Sequence, residues 1–305
     1  MKSSGFPDKH PRIAAFLLSV ELAVFSLLPS AAPEAGDNFP ELPIEIIGRV
    51  IFVKGTVNEK GPLNFILDTG ATETVLTLPT AERAGLRVPG NTEKKKAVVE
   101  SVIIGNAVAR NLIVYVFDPP QALSLRLDKG IDYHGILGYT FLSRYVTTID
   151  FRRKKVKFVP IVLYQKRNNK LPAGTSVVSF QVHDSLILAP ASIGRKRPVS
   201  FLVDTGSAEV LLLPDIAAAL KVPSTPLPGY ENVRQTALEY ITLGGATVSN
   251  VTTIVTTPSQ DRHSKIPYEG ILGHPFLSSF IVTVNYRDKE LTLTPCTDAA
   301  TDNAR

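Results

Sequence analysis

The sequence contains an internal duplication, and this constrains the fold more than any other feature. FILDTGATETVL at residues 65–76 returns as FLVDTGSAEVLL at residues 201–212, an offset of 136. VIIGNAVARN at residues 102–111 returns as ITLGGATVSN at residues 241–250, an offset of 139. A third and longer block begins GILG in each copy and is offset by 135. Offsets that drift by so few residues indicate a duplicated unit with loop insertions.

Each unit has the pattern of a β-rich domain. Short runs rich in Val, Ile and Thr, such as LNFIL, SVIIG and LIVYVF, recur between turn residues. Helical signals are brief: LPTAERAGL from Leu78 and LPDIAAALKV from Leu213 each predict one short helix, and TFLSRY after Gly138 is a third candidate. We therefore predict an all-β protein of two tandem units, related by pseudo-two-fold symmetry, with a few short helices.

The length of 305 residues suits two such units. Polar residues, Pro and Gly crowd together at residues 162–176, which we interpret as a linker. The first lobe is then residues 37–161 and the second is residues 177–296. Residues 297–305 are expected to form a flexible tail.

The N-terminal segment, residues 1–36, has the order of an export signal. Basic residues precede an apolar run at residues 13–28, and the small-residue stretch PSAAPEAG follows it. Glu21 interrupts the run and Pro33 weakens the cleavage site, so an uncleaved membrane anchor is the second interpretation, although a span needs about 20 residues. A buried helix of the domain is the third. Both main interpretations place the rest of the chain outside the cytoplasm: periplasmic, secreted or membrane-anchored.

Composition argues against a metal and against nucleic acid. The one cysteine, Cys296, excludes an intramolecular disulfide framework, and the five histidines show no zinc-ligand spacing, so we expect no metal or cofactor. The net charge of +5 falls in short basic runs at residues 94–96, 152–155 and 195–197, without interleaved aromatic residues. A basic patch for nucleic acid or an anionic membrane is the alternative to solvated turns. We favour turns and expect no nucleic-acid partner.

The repeated Asp-Thr-Gly stretch predicts a pair of carboxylates. An acid at the end of an apolar strand, followed by a tight turn, projects from a rigid scaffold. A single copy would be better explained as an Asx-type turn between strands. Homologous units that associate about a two-fold axis bring equivalent loops together, so we expect Asp68 and Asp204 to face each other. Such a pair shares one proton, and its two members can act as general base and general acid on a water and a peptide carbonyl.

These residues carry a family resemblance. Paired hydrophobic-Asp-Thr-Gly loops, each followed by an ILG segment, resemble the pepsin and retropepsin group of aspartic proteases, in particular bacterial retropepsin-like domains. DTGATETVL is close to the retroviral form, and the strand ending (I/V)(D/N)(F/Y) after GILG and an FL pair is typical of the bacterial relatives. In aspartic proteases two aspartates share one proton. The resemblance covers about residues 44–294 and implies two acid-protease β-barrel lobes, a peptide or protein substrate, and a monomeric pseudo-dimer.

The resemblance also assigns roles to single positions. Asp68 and Asp204 match the catalytic aspartates, and the ILG segments at residues 136–138 and 271–273 match the motif that packs behind the catalytic loops. Ser207 can donate a hydrogen bond to its aspartate, which would make the two carboxylates unequal. The supporting loop residues, with the threonines bonding across the interface, are Thr69, Gly70, Ala71, Thr205, Gly206 and Ser207.

Further expectations concern the cleft. Flaps are expected around residues 88–100 and 223–239, with Tyr230 as a flap tyrosine in the second. Glu73 and Glu209 either line the substrate cleft or are solvated strand ends.

Some positions depart from the family or lack a catalytic pattern. Tyr139-Thr140 and His274-Pro275 replace the Arg-Asn pair that follows ILG in retroviral enzymes. The retroviral interface salt bridges are therefore not carried over. His134 aligns with Glu269, and His274 aligns with Tyr139, so neither histidine joins the site. Ser207 lacks the G-x-S-x-G turn of a serine nucleophile.

Three functions follow from these patterns. The first is an exported, single-chain aspartic endopeptidase in which Asp68 and Asp204 activate a water. The second is a catalytically silent module of the same fold that holds an extended peptide by strand pairing, because fold alone does not establish activity. The third, phosphotransfer on a lone aspartate, would need magnesium ligands that the sequence does not show.

Overall fold

The computed structural model describes residues 39–88, 95–117, 133–166, 170–257 and 266–296. The signal or anchor predicted at residues 1–36 and the tail predicted at residues 297–305 lie outside these ranges. All described residues belong to one compact unit, residues 35–305. None of their helices is both long and apolar enough to cross a membrane.

The first repeat forms a closed barrel. Its described strands pair in the ring β3-β4-β8-β5-β7-β6, and β6 returns to β3, while β2 extends the sheet at its edge. The elements of this half are β1 Glu41–Pro43, β2 Glu45–Ile47, β3 Val50–Val57, β4 Lys60–Leu67, β5 Val75–Thr77, α1 Leu78–Arg83, β6 Lys95–Ile104, β7 Ala107–Phe117, β8 Gly135–Leu137, α2 Tyr139–Leu142, β9 Tyr145–Asp150 and β10 Lys155–Pro160.

The second repeat forms the same barrel. The described strands pair in the ring β13-β14-β19-β15-β18-β17, which closes through β13 and β17. The elements of this half are β11 Ser176–Ser179, β12 Gln181–His183, β13 Leu186–Ile193, β14 Pro198–Val203, β15 Val210–Leu212, α3 Pro214–Ala219, β16 Thr225–Pro226, β17 Arg234–Leu243, β18 Ala246–Val255, β19 Gly270–Leu272, α4 His274–Leu277, β20 Phe280–Asn285 and β21 Glu290–Pro295.

The predicted all-β class, the two barrel lobes with pseudo-two-fold symmetry and the few short helices are confirmed. The helices predicted after Leu78 and Leu213 are α1 and α3, and TFLSRY contains α2. A proline lies at the first or second position of α1 and α3. Backbone N–H groups at these positions have no acceptor within the helix, so proline, which lacks this group, costs no hydrogen bond there. In α1 the side chain of Thr77 caps the helix by accepting a hydrogen bond from the Thr80 N–H.

Strand alternation divides the apolar residues between two faces. In β4, Leu63, Phe65 and Leu67 lie in the main core, whereas Ile66 packs on the opposite face in a separate cluster. This follows from the two-residue period of a strand. The barrel wall therefore has an apolar interior and a second apolar surface immediately before Asp68.

A sheet that the sequence analysis did not predict joins the two lobes. Its order is β1-β10-β9-β20-β21-β11, with three strands from each half. At its centre Thr148 of β9 pairs with Thr283 of β20, and their hydroxyl oxygens are 2.9 Å apart. These two residues are equivalents in the repeat, so the pseudo-two-fold axis passes between them. The main apolar core is accordingly continuous through both lobes.

The basic run at residues 152–155 lies where β9 turns into β10, in exposed or half-buried positions. Arg153 forms an ion pair with Glu41, at 2.7 Å between Nη2 and Oε2. In the run at residues 195–197, Arg197 pairs with Glu269 at 2.8 Å. These charges lie at turns and are partly offset by neighbouring carboxylates.

The shared sheet yields a stability prediction. Ile149 is fully buried in β9, opposite Val282 of β20, so Ile149→Ala should lower the free energy of unfolding by about 2–5 kcal/mol. Ile281→Ala in the neighbouring strand is the matched control, because Ile281 is partly exposed and should cost less. Thermal unfolding followed by circular dichroism measures both. Equal destabilisation by the two variants would contradict a core that runs through the shared sheet.

Candidate active site

Both aspartates of the repeat stand directly after a buried strand. Asp68 follows β4 and donates its backbone N–H to the carbonyl of Leu137, at 3.1 Å. Asp204 follows β14 and donates in the same way to Leu272, at 3.0 Å. The acceptors belong to the ILG segments, whose strands β8 and β19 run parallel to β4 and β14. Each ILG segment therefore lies directly behind its aspartate.

A short turn orients each carboxylate. The N–H of Gly70 donates to Oδ1 of Asp68, at 2.7 Å, and the N–H of Gly206 donates to Oδ1 of Asp204, at 2.8 Å. Such a bond to the residue two positions earlier is the Asx-type turn expected of this stretch. It leaves Oδ2 of each aspartate outside the turn.

Two buried threonines connect the loops across the lobe interface. The hydroxyl of Thr69 donates to the carbonyl of Val203 at 2.8 Å and accepts from the N–H of Thr205 at 3.0 Å. The hydroxyl of Thr205 donates to the carbonyl of Leu67 at 2.9 Å and accepts from the N–H of Thr69 at 3.0 Å. Both residues are at most 2% exposed. The four bonds are reciprocal and fix the two loops in one register.

This register brings the two aspartates to the same place. A Cβ atom added to Gly70 would lie 2.6 and 2.7 Å from the carboxylate oxygens of Asp204. A Cβ atom added to Gly206 would lie 2.7 Å from each carboxylate oxygen of Asp68. Each carboxylate thus rests on the glycine of the opposite lobe. It occupies the space that a side chain at that glycine position would need. Both aspartates are partly exposed, so solvent reaches them.

The glycine of each ILG segment supports the loop from behind. A Cβ on Gly138 would overlap the carbonyl oxygens of Ala71 and Glu73, and the same is true of Gly273 with those of Ser207 and Glu209. The residue after each glycine continues the support. The Tyr139 N–H donates to Ala71, and the His274 N–H donates to Ser207, both at 2.9 Å. Only glycine allows this close approach of two backbones.

The predicted bond from Ser207 to its aspartate is not formed. The Ser207 hydroxyl donates instead to the carbonyl of Glu209, at 2.9 Å. A serine hydroxyl has one proton, so none remains for Asp204. Ser207 therefore stabilises the turn after Gly206, and any inequality between the two carboxylates must have another origin.

Of the two glutamates that follow the loops, Glu209 takes part in the lobe interface. Arg49, in the turn between β2 and β3, places Nη1 3.1 Å from Oε2 of Glu209 and thus links the first lobe to the second. Ser185 occupies the repeat position of Arg49 and is too short for such a link to Glu73. A hydrogen bond to Tyr115 raises the pKa of Lys96, and the charge of Glu73 raises it to a smaller extent.

Aromatic contacts below the loops also cross the interface. The ring of Tyr139 contacts Tyr286 edge-on, with centroids 5.2 Å apart, and His274 contacts Phe151 in the same way at 5.5 Å. Burial, and secondarily the charge of Arg49, lowers the pKa of His274. Burial raises the pKa of Tyr286, and the charge of Asp68 raises it further. Sequence reasoning set His274 aside and did not consider Tyr286; neither contact has a local sequence signal.

Two small apolar clusters, separate from the main core, adjoin the loops. The first contains Ile66, two positions before Asp68, and the ILG residue Ile136. The second contains Leu202, two positions before Asp204, and the ILG residue Ile271 packs against it. Their equivalent places in the two lobes give each aspartate an apolar neighbour. Cluster 1 consists of Val50, Phe52, Ile66, Tyr133 and Ile136, and cluster 2 consists of Leu186, Leu188, Leu202 and Ile266.

The second predicted flap contains a hairpin. Strand β16 pairs with the start of β17, and the Leu227 N–H donates to the Val233 carbonyl at 2.9 Å. Tyr230 lies in the turn and is 66% exposed. Of the first predicted flap, residues 89–94 lie outside the described ranges.

His134 and Glu269, the aligned pair set aside in the sequence analysis, have the same structural role. Nδ1 of His134 accepts a hydrogen bond from the Asn64 N–H at 3.1 Å, and Oε2 of Glu269 accepts one from the Ser200 N–H at 2.9 Å. Asn64 and Ser200 are themselves equivalents in β4 and β14. Among the described residues, no group of three or more His, Cys, Asp or Glu side chains is placed to hold a metal ion.

Two barrels that present paired Asp-Thr-Gly loops at a common interface define a two-lobed acid-protease fold. The chain belongs to the aspartyl protease family, whose model matches residues 53–141 and again residues 189–276. No curated protein sequence matches the chain.

Solved structures with a similar fold include two that align over nearly their whole length. One is basic 7S globulin from soybean, with a TM-score of 0.52 and 11% identity over 85% of this chain and 95% of that one. The other is an aspartic proteinase from Irpex lacteus, with a TM-score of 0.52 and 13% identity over 87% of this chain and 99% of that one. At these identities the likeness concerns the fold alone.

The threonine bonds give a second stability prediction. Thr205→Val keeps the shape of the side chain but leaves the Leu67 carbonyl and the Thr69 N–H without their partner. We expect a loss of about 1–3 kcal/mol for each of these buried groups. Thr205→Ser retains the hydroxyl and serves as the control. Denaturant unfolding measures the difference, and a valine variant as stable as the serine variant would refute a structural role for these bonds.

Proposed function

We propose that the protein is an aspartic endopeptidase that hydrolyses peptide bonds with a water activated between Asp68 and Asp204. The observation that carries this proposal is the crossed placement of the carboxylates, each resting on the glycine of the opposite lobe. Because Thr69 and Thr205 hold both loops rigidly, this placement needs no rearrangement before catalysis. Preorganised groups of this kind lower the barrier without a cost at the moment of reaction.

The chemistry follows from the electrostatics of two adjacent carboxylates. Like charges at close range disfavour double ionisation, so the pair holds one proton between its members. The ionised member removes a proton from the water while the water oxygen attacks the peptide carbonyl carbon. The other member donates its proton to the carbonyl oxygen. Proton transfer to the amide nitrogen and collapse of the tetrahedral intermediate then break the C–N bond. The products are a carboxylic acid and an amine, and the dyad regains its single proton.

The surroundings of the dyad suit an extended peptide. A strand-like substrate that crosses both lobes can add main-chain hydrogen bonds to exposed strand edges. Clusters 1 and 2 are buried, but partly exposed apolar residues pack against them: Ile47, Ala71 and Val75 against cluster 1, and Tyr268 and Ile271 against cluster 2. We therefore propose a protein or peptide substrate with apolar side chains on both sides of the scissile bond. The hairpin that carries Tyr230 is the segment proposed to cover it.

A monomer suffices for this mechanism, since one chain supplies both aspartates. We also propose that it acts outside the cytoplasm, because residues 1–36 have the order of an export signal or membrane anchor. A silent peptide-binding module remains the competing function. It uses the same cleft but has no need of two intact aspartates.

Separate substitutions of the two aspartates test the proposal. Asp68→Asn and Asp204→Asn should each lower the cleavage rate by about 10²–10⁴-fold, because each removes one member of a general acid–base pair. Asp184→Asn is the control: Asp184 lies in the exposed turn between β12 and β13 at a positive φ of 46°, which asparagine also tolerates. Cleavage of a casein-like protein and of a peptide library, followed by mass spectrometry, gives the rates.

Two outcomes decide between the functions. If either asparagine variant cleaved peptides at the rate of the wild-type protein, a shared dyad would be ruled out. If the wild-type protein cleaves no peptide but binds library members as tightly as Asp68→Asn does, the silent module is the correct function. An active enzyme whose asparagine variants bind peptides without cleaving them supports the endopeptidase.

A further inference from the structure

The outer face of the hairpin β6–β7 in the first lobe is apolar. Two cross-strand pairs lie on it, Val98 with Ile113 and Ile103 with Val108. Val98, Ile113 and Val108 are 61%, 51% and 41% exposed, and Ile103 is partly exposed. We call these four residues the apolar face. Contiguous exposed apolar residues are characteristic of interaction sites, whereas single ones are not.

The second lobe has different residues at the equivalent positions. Its hairpin β17–β18 has the same register, with Ala237 opposite Thr252 and Thr242 opposite Thr247. These four residues align with the apolar face at an offset of 139. The hydroxyl oxygens of Thr242 and Thr247 are 2.9 Å apart and share a hydrogen bond. The same hairpin thus forms with small or hydroxylated side chains, so the fold does not require the apolar residues of the first lobe.

A groove continues the apolar face to the end of β10. Its volume is about 610 Å³, and Val108 lines it together with residues 160–162 and Arg144. Val162 is 85% exposed, and Leu163, the next residue of the same turn, is 51% exposed. Five of the eight exposed large apolar side chains of the described chain therefore lie on the apolar face or in this turn.

Two cations border the apolar face and are replaced in the second lobe. Arg110 lies on β7 between the two apolar pairs, and Arg144 borders the groove and donates from Nη1 to the Arg110 carbonyl at 3.1 Å. Both are exposed, and neither forms an ion pair with a described carboxylate. Their equivalents are the neutral Ser249 and Ser279. Strands β6 and β7 carry three basic residues and one acidic residue, whereas β17 and β18 carry one of each.

The start of the described chain is directed toward the same region. Strand β1 is antiparallel to β10, with Glu41 opposite Lys157. Followed backwards from Glu41, the chain therefore heads toward Pro160, at the end of β10 that borders the groove. A membrane anchor in residues 1–36, one of the two main interpretations of that segment, is thus attached at this end of the first lobe.

The charges distinguish between the candidate partners of this surface. In a two-fold dimer formed through the apolar face, Arg110 and Arg144 would lie close to the same two residues of the second copy, and like charges would oppose the contact. An anionic bilayer complements both features of the surface. Its phosphates attract the cations, and the boundary of its acyl region accepts apolar side chains.

We propose that the apolar face, together with Val162 and Leu163, is a docking surface for an anionic phospholipid bilayer. The exposed apolar side chains enter the interfacial region of the bilayer, while Arg110 and Arg144 contact lipid phosphates. This surface is separate from the Asp-Thr-Gly loops. The inference therefore goes beyond the proposed peptidase function and applies equally to an active enzyme and to a silent module.

Fluorescent labels at two equivalent positions test the docking. Cys296→Ser removes the one native thiol, and Ile113→Cys or Thr252→Cys then introduces a single site for the fluorophore NBD in the first or the second lobe. In the full chain we expect vesicles of phosphatidylcholine with about 30% phosphatidylserine to shift the label at 113 to the blue and to raise its emission roughly twofold. The label at 252 should show neither change. An anchor alone brings both lobes to the vesicle and does not produce this difference.

Substitutions that copy the second lobe test the two parts of the surface. Arg110→Ser with Arg144→Ser should raise the vesicle concentration needed for half of the shift about 25-fold, because each cation near an anionic surface contributes about fivefold. Arg195→Ser with Lys196→Ser, in the exposed turn between β13 and β14, removes the same charge and should have no such effect.

Val98→Ala with Val108→Thr tests the apolar part and should reduce the shift of the label at 113. Both new residues occur at the equivalent positions of β17–β18, so the hairpin is expected to fold. Circular dichroism verifies this for each variant.

Four results would overturn the inference. The first is an equal response of the labels at 113 and 252, and the second is the absence of a response to anionic vesicles at 113. The third is a blue shift at 113 that appears without vesicles as the protein concentration rises, which would assign the face to a second copy of the chain. The fourth is a shift with poly-glutamate but not with vesicles, which would assign it to an acidic polypeptide. Cleavage of soluble peptides is measured separately, so none of these results bears on the peptidase proposal.

Discussion

The geometry of the site depends on the reciprocal hydrogen bonds between Thr69 and Thr205. Each such bond contributes only about 1 kcal/mol net, but leaving a buried donor or acceptor unmade costs about 1–3 kcal/mol. The interface therefore has one register in which all four groups are satisfied, and sliding the loops past each other by one residue would leave them all unpaired. In this register alone Gly70 and Gly206 come under the opposite carboxylates. The close approach of the two aspartates is thus a consequence of hydrogen bonds between the threonine hydroxyls and the backbone of the opposite lobe, which do not involve the carboxylates.

The shared six-stranded sheet imposes the same axis from a second place. Thr148 and Thr283 pair on the pseudo-two-fold axis at the centre of that sheet, and Thr69 and Thr205 pair on it at the loops. Two separated contacts on one axis prevent one lobe from tilting against the other, which a single contact would permit. The apolar core, continuous through both lobes, adds to this restraint. The Asp-Thr-Gly loops are consequently part of a rigid interface.

Much of the fold and most of the site could be predicted because the repeat makes each position in one half a check on the other. The strand pattern, the short helices and the equivalence of Asp68 with Asp204 all come from local sequence. The pairing of β9 with β20 and the contact of Tyr286 with Tyr139 could not be predicted, because contacts between distant segments leave no periodic signal in either one. The prediction that Ser207 donates a hydrogen bond to Asp204 was wrong for a different reason. A serine in a tight turn readily donates to a backbone carbonyl two residues away, and this local acceptor competes with the aspartate.

The differences between the halves are as informative as the repeat. Thr, Gly and the ILG residues are identical in both copies, because the interface and the close approach of backbone and carboxylate require them twice. The copies diverge where neither the interface nor the close approach needs the same residue twice. Two such pairs of equivalent positions are Arg49 with Ser185 and Phe151 with Tyr286. A shared proton needs two carboxylates but does not need them to be equivalent. In a homodimer of one such unit, the two locations of the proton would have equal energy by symmetry. A single chain with both units can surround its two aspartates differently, and any difference in the local field then fixes which aspartate is ionised in every molecule.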